Sequence, residues 1–164
     1  MFQQVIDLLT SRAEPDDVVK AFGAGSQSAF LMAAMQVQFG NEDVGKYSFA
    51  VQGVGHVGME YVKLLRERGA KVFVTDIDQE NLRRVTTDFR SVEVVAPDKI
   101  YGVDCDVFAP CALGAVVNDD TIPQLKCGII AGSANNQLGD EDKHSAALEK
   151  KGILYAPDYV INAG

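Results

Sequence analysis

The pattern of hydrophobic and polar positions divides the chain at about residue 46. Before this point, apolar residues recur at helical spacing in two stretches, within residues 2–9 and 30–39. The intervening residues 23–26, Gly-Ala-Gly-Ser, predict a flexible break. We therefore expect residues 1–45 to form a helical N-terminal segment.

After residue 46, short apolar runs alternate with amphipathic stretches. The runs predict six strands, over residues 48–52, 71–75, 92–95, 107–110, 128–131 and 153–156. The stretches between them predict four helices, over residues 56–68, 79–89, 121–126 and 140–151. Alternation of strand and helix is typical of a mostly parallel sheet with helices on both faces. We expect residues 46–164 to form a doubly wound α/β domain of the Rossmann type.

A glycine-rich turn, Gly53-Val54-Gly55-His56-Val57-Gly58, joins the first of these strands to the helix that follows it. Gly53 permits a tight turn, Gly55 leaves room for a pyrophosphate close to the backbone, and Gly58 allows close packing of the helix. The free N–H groups and the dipole at the helix start favour a bound anion. A lone motif of this kind is weak, but its place between strand and helix predicts a dinucleotide site.

An acidic residue, Asp76, ends the next predicted strand, 18 residues after Gly58. At this spacing a carboxylate accepts hydrogen bonds from the adenosine ribose diol, and it repels a 2′-phosphate. The sequence therefore predicts NAD rather than NADP, since Arg83 and Arg84 lie too far along the next helix to hold that phosphate. An alternative role for Asp76 is a helix cap, although Asp78 is better placed for capping.

Charge and composition narrow the classes of partner. A net charge of −8 and the lack of a dense Lys/Arg run argue against nucleic acid. No apolar run reaches the roughly 20 residues of a membrane helix, and the N-terminus does not read as a signal peptide, so we expect a cytoplasmic protein.

The cysteines and histidines offer no catalytic or metal-binding pattern. Cys105, Cys111 and Cys127 lack the spacing of a zinc site or a disulfide framework and are interpreted as ordinary reduced thiols. His56 is expected to face solvent in the glycine turn, and His144 to lie on a solvated helix face. Neither has a Ser or Cys partner at a spacing that suggests nucleophilic catalysis.

Three later segments follow predicted strand ends, where open α/β sheets bind ligands. They cover residues 109–114, 131–137 and 156–164. Small residues and the amides of Asn135 and Asn136 suit a flat ring that carries a carboxamide. An equally weighted alternative is that these two asparagines only shape a turn.

Several uncommon strings together resemble the Glu/Leu/Phe/Val dehydrogenase family over residues 28–164. They are AVQGVGHVG (50–58), VTDI (74–77), YGVDCDVFAPCALG (101–114), AGSANNQ (131–137) and YAPDYVINAG (155–164). The resemblance implies oxidative deamination of an L-amino acid to its 2-oxo acid, with NAD taking the hydride. It also implies a cofactor contact for each of a set of residues: Gly53, Val54, Gly55, His56, Val57, Gly58, Asp76, Ile77, Ala112, Leu113, Ala134, Asn135, Asn136 and Asn162.

The sequence departs from the family in its catalytic residues. The family uses a lysine in a glycine-rich loop and an aspartate, both in a preceding substrate domain. Residues 1–45 contain neither the Gly-Gly-Gly-Lys string of that loop nor a string like Pro-Asp-Val-Gly. Lys20 is interpreted as a solvated helix lysine, so no catalytic residue is assigned. We expect a fragment, an engineered domain or a truncated relative that binds NAD(H) but is inactive alone. The alternative is a stand-alone NAD(H)-binding sensor or partner module, and assembly into a homo-oligomer is left open.

Overall fold

A computed structural model describes residues 26–112 and 114–157, together with Gln4 and Asp7. Apart from these two residues, which are helical, the helix predicted over residues 2–9 lies outside the described part, as do residues 23–25. The second predicted helix is present as α1, Ser26–Phe39, and begins at Ser26, a residue that we expected in the break. It ends at Gly40, whose φ of +71° is a left-handed conformation that favours glycine after a helix.

Six parallel strands form one sheet in the order β3-β2-β1-β4-β5-β6. Their bounds are β1 Ser48–Gln52, β2 Lys71–Thr75, β3 Glu93–Val94, β4 Val107–Pro110, β5 Ile129–Ile130 and β6 Leu154–Tyr155. The helices are α2 His56–Glu67, α3 Gln79–Asp88 and α4 Glu141–Lys150. This is the Rossmann-type α/β fold that the sequence predicted. Within the described ranges, no helix combines the length and apolar character needed to cross a membrane.

Except in the exposed edge strand β3, alternate strand residues feed two separate cores, one on each face of the sheet. In β1, Phe49 and Val51 point into the core that α1, α2 and α3 cover, together with Leu65 of α2. Ala50 belongs to the opposite core, where it meets Leu148 of α4. This period of two is what a strand imposes on its side chains. Because both faces are covered, the strands read as continuous apolar runs.

One helix that the sequence predicted is not an α-helix. The segment predicted over residues 121–126 contains a 3₁₀ helix, Ile122–Gln124. Six residues before the next strand give too few backbone hydrogen bonds to offset the cost of nucleating an α-helix. Instead, the Nζ of Lys151 donates to the carbonyl oxygens of Ile122, at 2.7 Å, and Leu125, at 3.0 Å.

The expectation that His144 lies on a solvated face was wrong, because its side chain is 4% exposed. Its Nδ1 accepts a hydrogen bond from the backbone N–H of Asp140 at 2.8 Å. Its Nε2 lies 3.5 Å from Oδ1 of Asp119. His144 and Leu148 are one helical turn apart, so both face the core although charged residues surround His144 in the sequence.

Replacing His144 with alanine should lower the free energy of unfolding by about 2 kcal/mol, since the Asp140 N–H loses its buried acceptor and a void remains. Urea denaturation of the full chain would measure the change. Glu149→Ala, on the exposed face of the same helix, is the matched control and should unfold like the parent. Equal midpoints for His144→Ala and Glu149→Ala would show that the buried imidazole contributes nothing.

Candidate functional site

The carboxyl ends of β1, β2, β4 and β5 meet at one edge of the sheet because these strands are parallel. Strand order reverses between β1 and β4, which pair side by side although two other strands separate them in the sequence. Open α/β sheets leave a crevice at such a switch point. The predicted site residues that the structure describes all lie in segments that follow these strand ends.

The glycine turn after β1 is packed so closely that two of its glycines are required. Gly53 has a φ of +92°, and a Cβ there would lie 2.5 Å from the Cβ of Ala112. A Cβ on Gly58 would overlap the carbonyl oxygen of Gly53. Gly53 also donates its N–H to the carbonyl oxygen of Thr75 at 2.8 Å. The start of α2 is therefore held directly against the turn and beside β2.

Gly55 differs from these two glycines because the space around it is open. It is the N-cap of α2, and no heavy atom of the described chain lies within 4 Å of a Cβ built on it. The next two side chains, His56 and Val57, are exposed, as expected for His56. Since the first N–H groups of a helix have no acceptor within it, this opening is lined by backbone donors and by the positive end of the dipole. Its chemistry suits an anion.

Asp76 lies at the end of β2 and bonds directly to the glycine turn. Its Oδ2 accepts the backbone N–H of Val54, and its Oδ1 accepts that of Asp78, both at 2.8 Å. The cap of α3 is Asp78, whose Oδ1 accepts the N–H of Glu80 at 2.8 Å. The prediction of Asp78 as the cap is thus confirmed. Ile77, between the two aspartates, is 84% exposed.

The turns after β4 and β5 form a single wall beside the glycine turn. Ala134 donates its N–H to the carbonyl oxygen of Pro110 at 2.9 Å, and Ala115 donates to that of Asn136 at 2.6 Å. A Cβ on Gly114 would lie 2.6 Å from the carbonyl oxygen of Asn135. Ala112, in the turn after β4, lies against Gly53 and so joins this wall to the glycine turn.

Asn135 and Asn136 have a structural role in this wall. Asn136 has a φ of +50°, a left-handed conformation that asparagine tolerates better than most residues. Both side chains are exposed, whereas Ala134 is buried. The turn-forming interpretation is therefore supported for Asn136, and contact of these amides with a nicotinamide stays a prediction.

Two of the predicted site residues, Leu113 and Asn162, lie outside the described residues. Sequence reasoning missed the bond between Asp76 and the Val54 N–H, because only the folded chain brings the two segments together. It also missed Gln137, which is fully buried behind the wall and donates from Nε2 to the carbonyl oxygen of Gly132 at 2.8 Å. No residue pattern in the sequence marks either contact.

The three cysteines form no disulfide in the structure; Cys105 and Cys127 are buried, and Cys111 is partly buried. Burial raises the pKa of Cys105 to about 12 and that of Cys127 to about 11. Burial also raises the pKa of Cys111, against which hydrogen bonds to Ser133 act in the opposite direction. Because the thiolate is the reactive form, burial of Cys105 and Cys127 disfavours a nucleophilic role for these two residues.

The strand order and the glycine turn at its switch point define a Rossmann-type α/β domain. A model of the Glutamate/Leucine/Phenylalanine/Valine dehydrogenase family matches residues 19–164. The chain belongs to this family, which confirms the resemblance drawn from its motifs.

Individual relatives agree with this assignment. The chain is 57% identical to leucine dehydrogenase of Thermoactinomyces intermedius over 134 residues, which cover 82% of this chain and 36% of that protein. It is 44% identical to phenylalanine dehydrogenase of Bacillus thermotolerans, covering 96% of this chain and 45% of that protein. The crystal structure of L-tryptophan dehydrogenase from Nostoc punctiforme superposes with a TM-score of 0.79 at 46% identity, covering 84% of this chain and 42% of that one. The chain thus spans less than half the length of these relatives.

The two kinds of glycine should respond differently to an added methyl group. Gly58→Ala should lower the free energy of unfolding by about 1–3 kcal/mol or more, because the new Cβ overlaps the Gly53 carbonyl. Gly55→Ala meets open space and should cost at most about 1 kcal/mol, the difference between glycine and alanine at an N-cap. Chemical denaturation of both variants measures this, and equal destabilisation would contradict the packing described for the turn.

Proposed function

We propose that this chain is the NAD(H)-binding part of an amino-acid dehydrogenase. The observation that carries the proposal is the open cradle at Gly55, bounded by the closely packed Gly53 and Gly58 and by the carboxylate of Asp76. The family to which the chain belongs supports the same function. The chain spans less than half the length of its relatives. Its assignment to a whole enzyme with amino-acid dehydrogenase activity therefore belongs to this proposal.

The diphosphate of the cofactor would lie at the start of α2, in the space that a side chain at position 55 would fill. Gly55, His56 and Val57 begin the helix, so their backbone N–H groups are available to the phosphate oxygens. Such charge-assisted hydrogen bonds contribute about 1.5–3 kcal/mol each. Val54 is already engaged, because its N–H is donated to Asp76.

Asp76 would accept hydrogen bonds from the adenosine ribose diol, with the exposed Ile77 beside the adenine half. This arrangement favours NAD over NADP because a 2′-phosphate would meet the carboxylate. The nearby arginines do not compensate. Arg83 is paired with Glu80 at 2.7 Å, and Arg84 is exposed farther along α3.

The nicotinamide half would lie along the wall formed by the turns after β4 and β5. Ala112 and Ala134 supply small surfaces there, and the amides of Asn135 and Asn136 match the donor and acceptor of a carboxamide. Leu113 and Asn162 join this set through the family resemblance. When bound, NAD supplies the acceptor for the hydride that leaves the carbon bearing the amino group.

The proposed substrate is an apolar L-amino acid, which is deaminated to its 2-oxo acid in the cytoplasm. The relatives named for leucine, phenylalanine and tryptophan support this class. Residues 1–164 contain no match to the lysine and aspartate strings that the family uses, so we propose that they bind NAD(H) without turnover. Reduction of NAD by L-leucine with this chain alone would contradict that part of the proposal.

The function is tested by NADH binding to the parent and to Gly55→Val. The variant places side-chain carbons where the diphosphate would lie and should weaken NADH binding at least about tenfold by removing one or two charge-assisted hydrogen bonds. Its unfolding transition should stay close to that of the parent, since the site is open. Fluorescence titration with NADH gives the affinities. Unchanged affinity in Gly55→Val would mean that the turn is only structural.

Cofactor preference gives a second test. NADH should bind more tightly than NADPH by an amount on the order of 1–3 kcal/mol, because the 2′-phosphate meets the Asp76 carboxylate. Isothermal titration with both cofactors measures the difference. Asp78→Asn is the matched control, since asparagine also caps a helix and the preference should persist. Equal affinity of the parent for both cofactors would contradict the assignment of Asp76 to the ribose site.

A further inference from the structure

The Asp76 carboxylate is held by three donors, one from the glycine turn and two from the start of α3. Its Oδ2 accepts the Val54 N–H at 2.8 Å and the side-chain amide of Asn81, through Nδ2, at 3.2 Å. Its Oδ1 accepts the Asp78 N–H at 2.8 Å. None of these donors carries a charge, so they orient the carboxylate without neutralising it.

The position of Asn81 follows from the start of α3. Asp78 caps the helix, which places Asn81 third in its first turn. Its side chain is half-buried, whereas those of Gln79 and Glu80 in the same turn are exposed. Asn81 is therefore the residue of this turn that is directed at the end of β2, and it links α3 to the glycine turn through the shared oxygen of Asp76.

The two oxygens of the Asp76 carboxylate differ in how many hydrogen bonds they accept from the protein. A carboxylate oxygen has two lone-pair directions, and on Oδ2 both are occupied by protein donors. Among the described residues Oδ1 accepts one hydrogen bond, from the Asp78 N–H, and keeps a direction for a further one. Rotation of the carboxylate would break both bonds to Oδ2, so the charge stays in place when a bulky anion approaches.

We propose that Asn81 is a positioning residue that sets cofactor preference by fixing the Asp76 carboxylate. The proposal rests on the function proposed above and names a residue outside the set that the family resemblance supplied. With Asn81 in place, the ribose diol meets a preoriented acceptor, and a 2′-phosphate meets a charge that cannot turn aside. Without it, Asp76 gains rotational freedom, so NAD loses affinity while the penalty on NADP falls.

Two variants of Asn81 test this in the full chain. Asn81→Leu is nearly isosteric and lacks the donor, and it should weaken NADH binding about threefold to tenfold, as expected for one hydrogen bond. Asn81→Asp places a second carboxylate beside Asp76 and should weaken NADH binding by more than Asn81→Leu does. An acidic residue is favourable in a first helical turn, so this variant keeps α3 intact. Gln79→Met removes an exposed amide from the same turn and is the matched control, with affinity within about twofold of the parent.

The readout specific to positioning is the ratio of NADPH to NADH dissociation constants. We expect this ratio to fall at least about threefold in Asn81→Leu and to stay unchanged in Gln79→Met. A purely structural role would weaken both cofactors equally, and a constant ratio in Asn81→Leu would overturn the proposal. ADP-ribose, which has the adenosine ribose and no nicotinamide, should show the same loss of affinity as NADH.

Failure of the proposed function gives a different result from failure of this inference. If the parent bound neither NADH nor ADP-ribose, the dinucleotide function itself would be wrong, and the role of Asn81 with it. If the parent bound both and Asn81→Leu matched it in affinity and ratio, only the role of Asn81 would be wrong. Thermal melts of each variant identify any loss of affinity that comes from unfolding.

Discussion

The site is built where main chain packs against main chain with no room for a Cβ. A side-chain carbon on Gly58 would overlap the carbonyl oxygen of Gly53, and one on Gly132 would overlap that of Pro110. Overpacking of this kind has no low-energy relaxation, because the neighbouring atoms belong to the backbone. These close approaches bring the start of α2 and the turns after β4 and β5 together around one crevice.

In the proposed function, backbone dipoles and one carboxylate supply most of the recognition in this crevice. The opening at Gly55 exposes the first N–H groups of α2, whose positive end favours an anion. Asp76 supplies a fixed negative charge at the other side of the turn, and its bond to Val54 joins the two. A dinucleotide carries a diphosphate and a ribose diol, which these two features match in sign and in hydrogen-bonding character.

The sheet supplies the rigidity that the crevice needs. Apart from the edge strand β3, both of its faces are buried, and α1 adds Leu31 and Met35 to the same core that α2 covers. On the opposite face the fully buried Leu148 and nearly buried His144 anchor α4, with the imidazole bonded to the Asp140 N–H at the helix start. Burial on both faces limits backbone motion at the strand ends, so the turns that follow them keep their relative positions.

The sequence by itself determined the strands, most helices and the glycine turn, because each depends on residues close together in the chain. A short apolar run and a helical period of 3.6 are local features, and so are the cap at Asp78 and the glycine spacing. Only the tertiary structure decided that His144 is buried and that the segment predicted as a helix over residues 121–126 contains a 3₁₀ helix, Ile122–Gln124, instead of an α-helix. It alone also joined Asp76 to Val54, 22 residues earlier in the chain, because the end of β2 and the glycine turn meet only in the folded sheet and no residue pattern marks their contact.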